Sequence, residues 1–230
     1  MPTTAAAVLR ELKRLGTAQN VTIYRRHGAG EDVYGVSFGN LRPLAKRLGT
    51  DHALALALWD SGNADARCLA TMVADPAALT RGEADAWVEG IDYYVHADLV
   101  GGLVARTPFA LEAIDGWTRS DGDFVRQTGY VALASYLRGG KPPLSDAACR
   151  RWLKRVEREI HESPNRSRHA MNGALIAIGV FRPELAAEAV AAAGRIGTVE
   201  VDHGETGCKT PAAVPYIERS LARSKTPATA

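Results

Sequence analysis

The sequence predicts an all-α solenoid of stacked helix pairs, and three observations carry that expectation. The 230 residues are rich in alanine and leucine, 46% hydrophobic and 23% charged, with few β-branched runs. Prolines, glycines and short polar clusters interrupt the chain at regular intervals, so its helices are short and numerous. Trp59, Trp87, Trp117 and Trp152 lie 28, 30 and 35 residues apart, each within or near the end of one helical segment and ahead of the next. One helix pair cannot bury its apolar face alone, so a period of about 30–45 residues reads as HEAT- or TPR-like stacking. A non-repeating helical bundle is the alternative.

The expected segments run in order. Helices at 4–15 and 17–27 precede a long loop, HGAGEDVYGVSFG (27–39), and a helix at 40–48 follows it. Asp51 and Asn63 are suitable caps for helices at 51–60 and 63–74, because a short polar side chain accepts from the free amides of a first turn. Pro76 closes that pair, and helices at 80–90 and 92–106 come next. Pro108 precedes a helix at 109–118, Asp121 begins one at 121–137, and Ser145 begins one at 145–162. Pro164 and Asn165 lead into 165–180, and Pro183 opens 183–196. A second long loop, GTVEVDHGETGCKTPAAVP (197–215), leads into the last helix at 213–223. Residues 1–223 are expected to form a single domain, and 224–230 (SKTPATA) a disordered tail.

Composition narrows the function. No run of about 18 apolar residues exists, so no membrane span is expected. The start, MPTTAAAVLRELKRLG, lacks the apolar core of a secretion signal. Three widely spaced cysteines, Cys68, Cys149 and Cys208, without a C-x-x-C pair argue against a disulfide frame or zinc knuckle and for a reducing, cytoplasmic setting. The net charge is only +2, but residues 138–168 carry nine Lys/Arg against four Asp/Glu, leaving the remainder at −3. Such a stripe is either a polyanion-binding face or a solvated helix side laced with pairs such as Arg155–Glu159. In a stack of helix pairs the second helices line one shared groove, which places Arg67, Asp98, Arg126 and Arg168 together.

Within IDYYVHADLVGGLVAR (91–106), Tyr93, Ala97, Val100 and Val104 form an apolar stripe at helical spacing. Beside it run Tyr94, Asp98 and the pair Gly101/Gly102. Each interior glycine costs about 1 kcal/mol relative to alanine. Something must therefore approach the backbone closely, either a neighbouring helix or a ligand on the groove floor. Asp98 repels phosphate, so in a nucleic-acid groove it suits a site where positive charge develops. The plainer alternative is that Asp98 pairs with Arg67 or Arg126. Late in the chain, Asp202, His203, Glu205, Cys208 and Lys209 share a Gly-rich loop. Their spacing fits no standard metal site, a Cys–His catalytic pair is conceivable, and a loop folding back over the last repeat is the expected role.

The stretches GVSFGNLRPLAKRLGTDHALALALWDSGNADARCLATMVADP (35–76), DYYVHADLVGGLVAR and SDGDFVRQTGYVALASYL resemble the DNA alkylation repair family, the HEAT-like repeat alkylpurine DNA glycosylases. The similarity covers roughly residues 20–180, and SRHAMNGALIAIG with the later loop is similar to an uncharacterised branch of that family. The resemblance implies a helical solenoid holding duplex DNA in a basic concave face. It also implies hydrolysis of the glycosidic bond of N3- and N7-alkylated purines without a metal or organic cofactor, and a monomer. The family's site residues carry over to Tyr94, where the family has Trp, and to Asp98. The family's arginine position falls on Gln127 with Arg126 one residue early, and its second tryptophan falls near Gly173. On this reading Asp98 stabilises a cationic sugar, Tyr94 contacts the lesion nucleotide and Arg126 holds a phosphate. Arg67, Gln127, Arg166, Arg168, His169, Lys141, Arg151 and Lys154 are the expected DNA contacts. A DNA-structure-binding protein without excision, or a protein-interaction scaffold, are the alternatives.

Overall fold

The computed structural model describes residues 3–139 and 142–225, which are helical and contain no strand. In chain order the helices are α1 (Ala5–Leu15), α2 (Ala18–Arg26), α3 (Phe38–Leu48), α4 (His52–Asp60), α5 (Ala64–Val73), α6 (Arg81–Glu89) and α7 (Tyr94–Val104). They continue with α8 (Ala110–Trp117), α9 (Asp123–Gly139), α10 (Asp146–Glu159), α11 (Asn165–Phe181), a 3-10 turn at Pro183–Leu185, α12 (Ala186–Ile196) and α13 (Ala213–Lys225). Every segment expected from the sequence is present, with ends displaced by a few residues. The caps explain most of the agreement. The side chains of Thr4, Thr17, Ser37, Asp51, Asn63, Thr80 and Ser145 each accept from an amide of the first turn that follows.

Two expected caps differ. Helix α9 begins at Asp123 rather than Asp121, and Asn165 already lies inside α11 behind Pro164. The first turn of α11 is capped across the stack instead. The Asp123 carboxylate accepts from the Arg166 amide at 2.9 Å and from the Ser167 amide at 2.7 Å. Helix α13 runs to Lys225, two residues into the segment expected as a tail, and 226–230 lie outside the described residues.

The helices form two layers. Helices α5, α7, α9 and α11 pack side by side in one, and α4, α6, α8, α10 and α12 form the other. Three of the tryptophans explain the spacing seen in the sequence, because they bond successive members of the second layer. Trp59 of α4 stacks on Trp87 of α6 with centroids 4.3 Å apart and planes 6° from parallel. Trp117 of α8 donates from its indole nitrogen to Asp85 of α6 at 2.7 Å, and the Arg81 guanidinium lies 5.6 Å over its ring. Trp152 of α10 instead meets Tyr130 of α9 across the layers, with centroids 6.0 Å apart and planes 78° from parallel.

In the other layer, α7 and α9 meet at Gly101. A Cβ there would come within 2.8 Å of Val131 Cγ1 and 2.9 Å of the Thr128 carbonyl oxygen, so only hydrogen fits. Gly102, the next residue, faces open space. The glycine pair therefore serves a neighbouring helix with its first member and leaves the layer's surface bare with its second. Tyr93, Ala97, Val100 and Val104 are buried, as their spacing predicts.

The first long loop is sealed down. Asp65 of α5 is 3% exposed and accepts from the backbone amides of Tyr34, Gly35 and Val36 at 2.6, 3.0 and 2.8 Å. Val33 and Val36 are buried beside it, so the loop is a wall of the N-terminal repeats.

Candidate nucleic-acid interface

At one end of the α7–α9–α11 layer, Tyr94, Asp98, Gln127, Arg166, His169, His203, Cys208 and Lys209 line a cleft of about 290 Å³. Helix α7 supplies Tyr94 and Asp98 one turn apart, α9 supplies Gln127, and α11 supplies Arg166 and His169. The remaining three come from the second long loop.

Gln127 fixes the floor. It is 2% exposed, and its Nε2 donates to Asp98 Oδ1 at 2.8 Å and to the Tyr94 carbonyl at 3.1 Å. Both partners are acceptors, so the amide orientation follows from the network, and Gln127 Oε1 is left buried without a partner. Asp98 is one of the exposed residues, since water reaches it from within the cleft. The protein mass around it nonetheless pushes its carboxyl up to about 6, with the Gln127 amide and the Arg166 charge pulling the other way. Direct access to water screens and opposes that rise.

Tyr94 is held on two sides. Its hydroxyl hydrogen-bonds to His27 Nδ1 at 2.9 Å, and the Arg166 guanidinium carbon sits 4.3 Å from the centre of its ring. Burial raises its phenol above the ordinary range, and Arg166 works against that rise.

The second loop reaches this site through side-chain links to α11. Asn165 donates to the Asp202 carbonyl and accepts from the Asp202 amide, both at 2.7 Å. Arg168 donates to the Glu200 carbonyl at 3.0 Å, and Asn172 to the Pro211 carbonyl at 2.8 Å. His169 and His203 both hydrogen-bond to the Thr210 hydroxyl, at 3.2 and 3.0 Å, with their rings edge to face. Burial lowers both imidazoles below the usual range, His203 adds to this at His169, and Arg166 adds at both. A second cavity of about 600 Å³ opens on the far side of the loop and shares His203, Cys208 and Lys209 with the first.

The residues picked out in the sequence separate clearly. Tyr94, Asp98, Gln127, Arg166 and His169 come together. Arg67 does not join them: it donates to the Trp59 and Gly90 carbonyls and lies 5.2 Å over the Trp59 ring, which makes it a brace between repeats. Arg126 is turned away by its one-residue offset, about 100° of helix rotation. Its guanidinium donates to the Ser120 carbonyl at 2.6 Å and to Ser163 Oγ at 3.2 Å, which ties α9 to neighbouring turns. Asp98 pairs with neither Arg67 nor Arg126; Gln127 is its partner. Arg168, His169 and Asn172 do not project freely, because each holds the loop. Arg151 and Lys154 belong to α10, in the tryptophan layer, where Arg151 lines a separate cavity with Leu111 and Trp152. Lys141 lies outside the described residues.

The sequence predicts that His203, Cys208 and Lys209 belong to a loop over the last repeat. The loop does fold back, but it forms a wall of the Asp98 cleft. The signal was present as a dense polar motif, while its destination depended on contacts some 40 residues apart in sequence. No group of three or more His, Cys, Asp or Glu among the described residues has the geometry to hold a metal ion. Among the described residues, no helix is long and apolar enough to cross a membrane.

Comparison with known proteins places this geometry. A family model described as DNA alkylation repair enzyme matches residues 8–216. An uncharacterised protein of Listeria monocytogenes is 30% identical over 222 residues, covering 94% of this chain and 96% of the relative. One of Listeria innocua is 29% identical over 220 residues, covering 93% and 95%. A solved structure is similar with a TM-score of 0.89 and 29% identity, covering 96% of this chain and 95% of its own. That structure is described as a new family of proteins related to the HEAT-like repeat DNA glycosylases with affinity for branched DNA structures.

Proposed function

We propose that this chain, which belongs to the DNA alkylation repair enzyme family, binds branched double-stranded DNA along the α7–α9–α11 layer without excising cationic alkylated purines. The observation that carries this reading is the position of Arg166. Its guanidinium occupies the face of Tyr94 that an N3- or N7-alkylpurine cation would need. A second cation brought to that face meets like charge instead of an open π surface. Gln127 reinforces the reading. Standing where the resemblance expects arginine, it offers the DNA backbone no charge and spends its donors on Asp98 and Tyr94.

Cationic groups at both ends of the layer suit phosphates. Arg166 and Lys209 stand at the Asp98 end. Arg106 and Arg138 line a cavity of about 610 Å³ near the opposite ends of α7 and α9, with Gly102 and Ser135 between them. Contacts of this kind position a duplex without reading its sequence and make affinity fall steeply with salt. The affinity for branched DNA described for the similar structure agrees with this reading.

Gel-shift titration of three-way junctions against linear duplex of the same length, at two salt concentrations, tests it. Tighter, salt-sensitive binding of the junction is expected, with no release of 7-methylguanine from methylated DNA. The second reading is excision dependent on Asp98, and one observation favours it: Asp98 opens into the cleft with no ion-pair partner among the described residues and could stabilise a developing sugar cation. Release of 7-methylguanine by the wild type and not by Asp98→Asn would establish that reading and remove ours.

A further inference from the structure

The cleft differs from an open duplex groove because the second loop closes one side of it. Its volume of about 290 Å³ has room for one small ligand and none for a stacked base pair. Its floor offers the Asp98 carboxylate, whose Oδ1 takes a single donor and whose Oδ2 takes none among the described residues. Gln127 Oε1 lies enclosed beneath it, on a side chain only 2% exposed. Its rim carries cations, Arg166 and Lys209, and no hydrogen bond or ion pair among the described residues engages the Lys209 ammonium. A carboxylate floor under a cationic rim fits a ligand with adjacent N–H donors at one end and an anion at the other.

Among the nucleobases only guanine presents two neighbouring donors on its pairing edge, N1–H and the 2-amino group. Adenine and cytosine present one amino group beside an acceptor, and thymine presents one N–H between two carbonyls, which a carboxylate repels. We propose that the cleft receives a single unpaired guanine nucleotide, its N1–H and 2-amino group donating to the Asp98 carboxylate and its phosphate held by Arg166 and Lys209. This rests on the DNA-binding reading above and adds a base preference to it. A branch point is where such an unpaired nucleotide is available, since extrusion from an intact duplex costs a few kcal/mol.

Cys208 makes the site observable. It lines the cleft and is exposed, whereas Cys68 and Cys149 are buried, so a water-soluble alkylating reagent reports on Cys208 in the unmodified protein.

The test uses three-way junctions identical except for one extra nucleotide at the branch: guanine, adenine, cytosine, thymine or an abasic residue. By fluorescence anisotropy the guanine junction is expected to bind roughly tenfold tighter than the thymine junction, the order of one good bidentate contact. The guanine junction should also slow alkylation of Cys208 more than the thymine junction does. Asp98→Asn, which replaces one acceptor with a donor, should bring the guanine-to-thymine ratio close to one. In the wild type, the same ratio should shrink as the pH falls below 6 and the carboxylate takes up its proton. Junction binding with equal affinity for all five, or a preference that survives Asp98→Asn, overturns this inference and leaves the DNA-binding reading intact. Failure to bind any junction at low salt overturns both.

Discussion

Asp65 and Asp98 occupy early turns of neighbouring helices in the same layer, and the protein packed around each pushes its carboxyl upward. They have opposite roles. Asp65 is enclosed and satisfied by three backbone amides, so it staples the first loop to α5. Asp98 receives one side-chain amide and stays open to the cleft. Asp123 of α9 behaves like Asp65, taking two amides from the start of α11. Neither residue type nor helix position separates a staple from a site. The donors facing the carboxylate do, and backbone amides consume what a ligand would otherwise find.

The contrast can be broken most directly at Asp65. Asp65→Asn replaces an acceptor oxygen with a donor against three amides, and the loss is expected to be about 3 kcal/mol or more by urea denaturation. A neutral result would make the two carboxylates equivalent. Next in size is Gly101→Ala, which forces a Cβ into the Thr128 carbonyl and Val131. A loss of about 2 kcal/mol is expected from that overpacking, with a displaced Asp98. Gly102→Ala sharpens the point, because open space there allows a gain of up to about 1 kcal/mol from helix propensity alone.

The smallest effect is at Asp98 itself. Its folded pKa lies above the ordinary value, so the folded state binds the proton more readily and wild-type stability rises as the pH falls through about 6. Asp98→Asn should therefore be slightly more stable than wild type at pH 7.5, by under about 1 kcal/mol given the access of water. The gap should close between pH 6 and pH 4 in thermal melts. A variant that is instead strongly destabilised at neutral pH would mark Asp98 as a second staple.

The helices were legible because their signals are local. Capping residues such as Asp51, Asn63 and Ser145 announced starts, and the tryptophan spacing announced the stack. Tyr94 and Asp98 were legible as one stripe on one helix. Arg126 was not, since the direction of a side chain depends on a single residue of register. The basic run across α10 misled because a charge count does not show which layer a helix joins; Arg155 there is spent on Glu159 and the Thr118 carbonyl. The loop carrying His203, Cys208 and Lys209 was hardest to place, as its position depends on α11 side chains far back in the chain.

The tryptophans sit on α4, α6, α8 and α10, away from the cleft. Ultraviolet emission from the native protein is consequently deaf to direct contact with nucleic acid and sensitive to how its repeats sit on one another. The face-to-face Trp59–Trp87 pair should give an exciton couplet in circular dichroism. A change in that couplet when DNA is added would register bending of the whole stack, sensed from its opposite side.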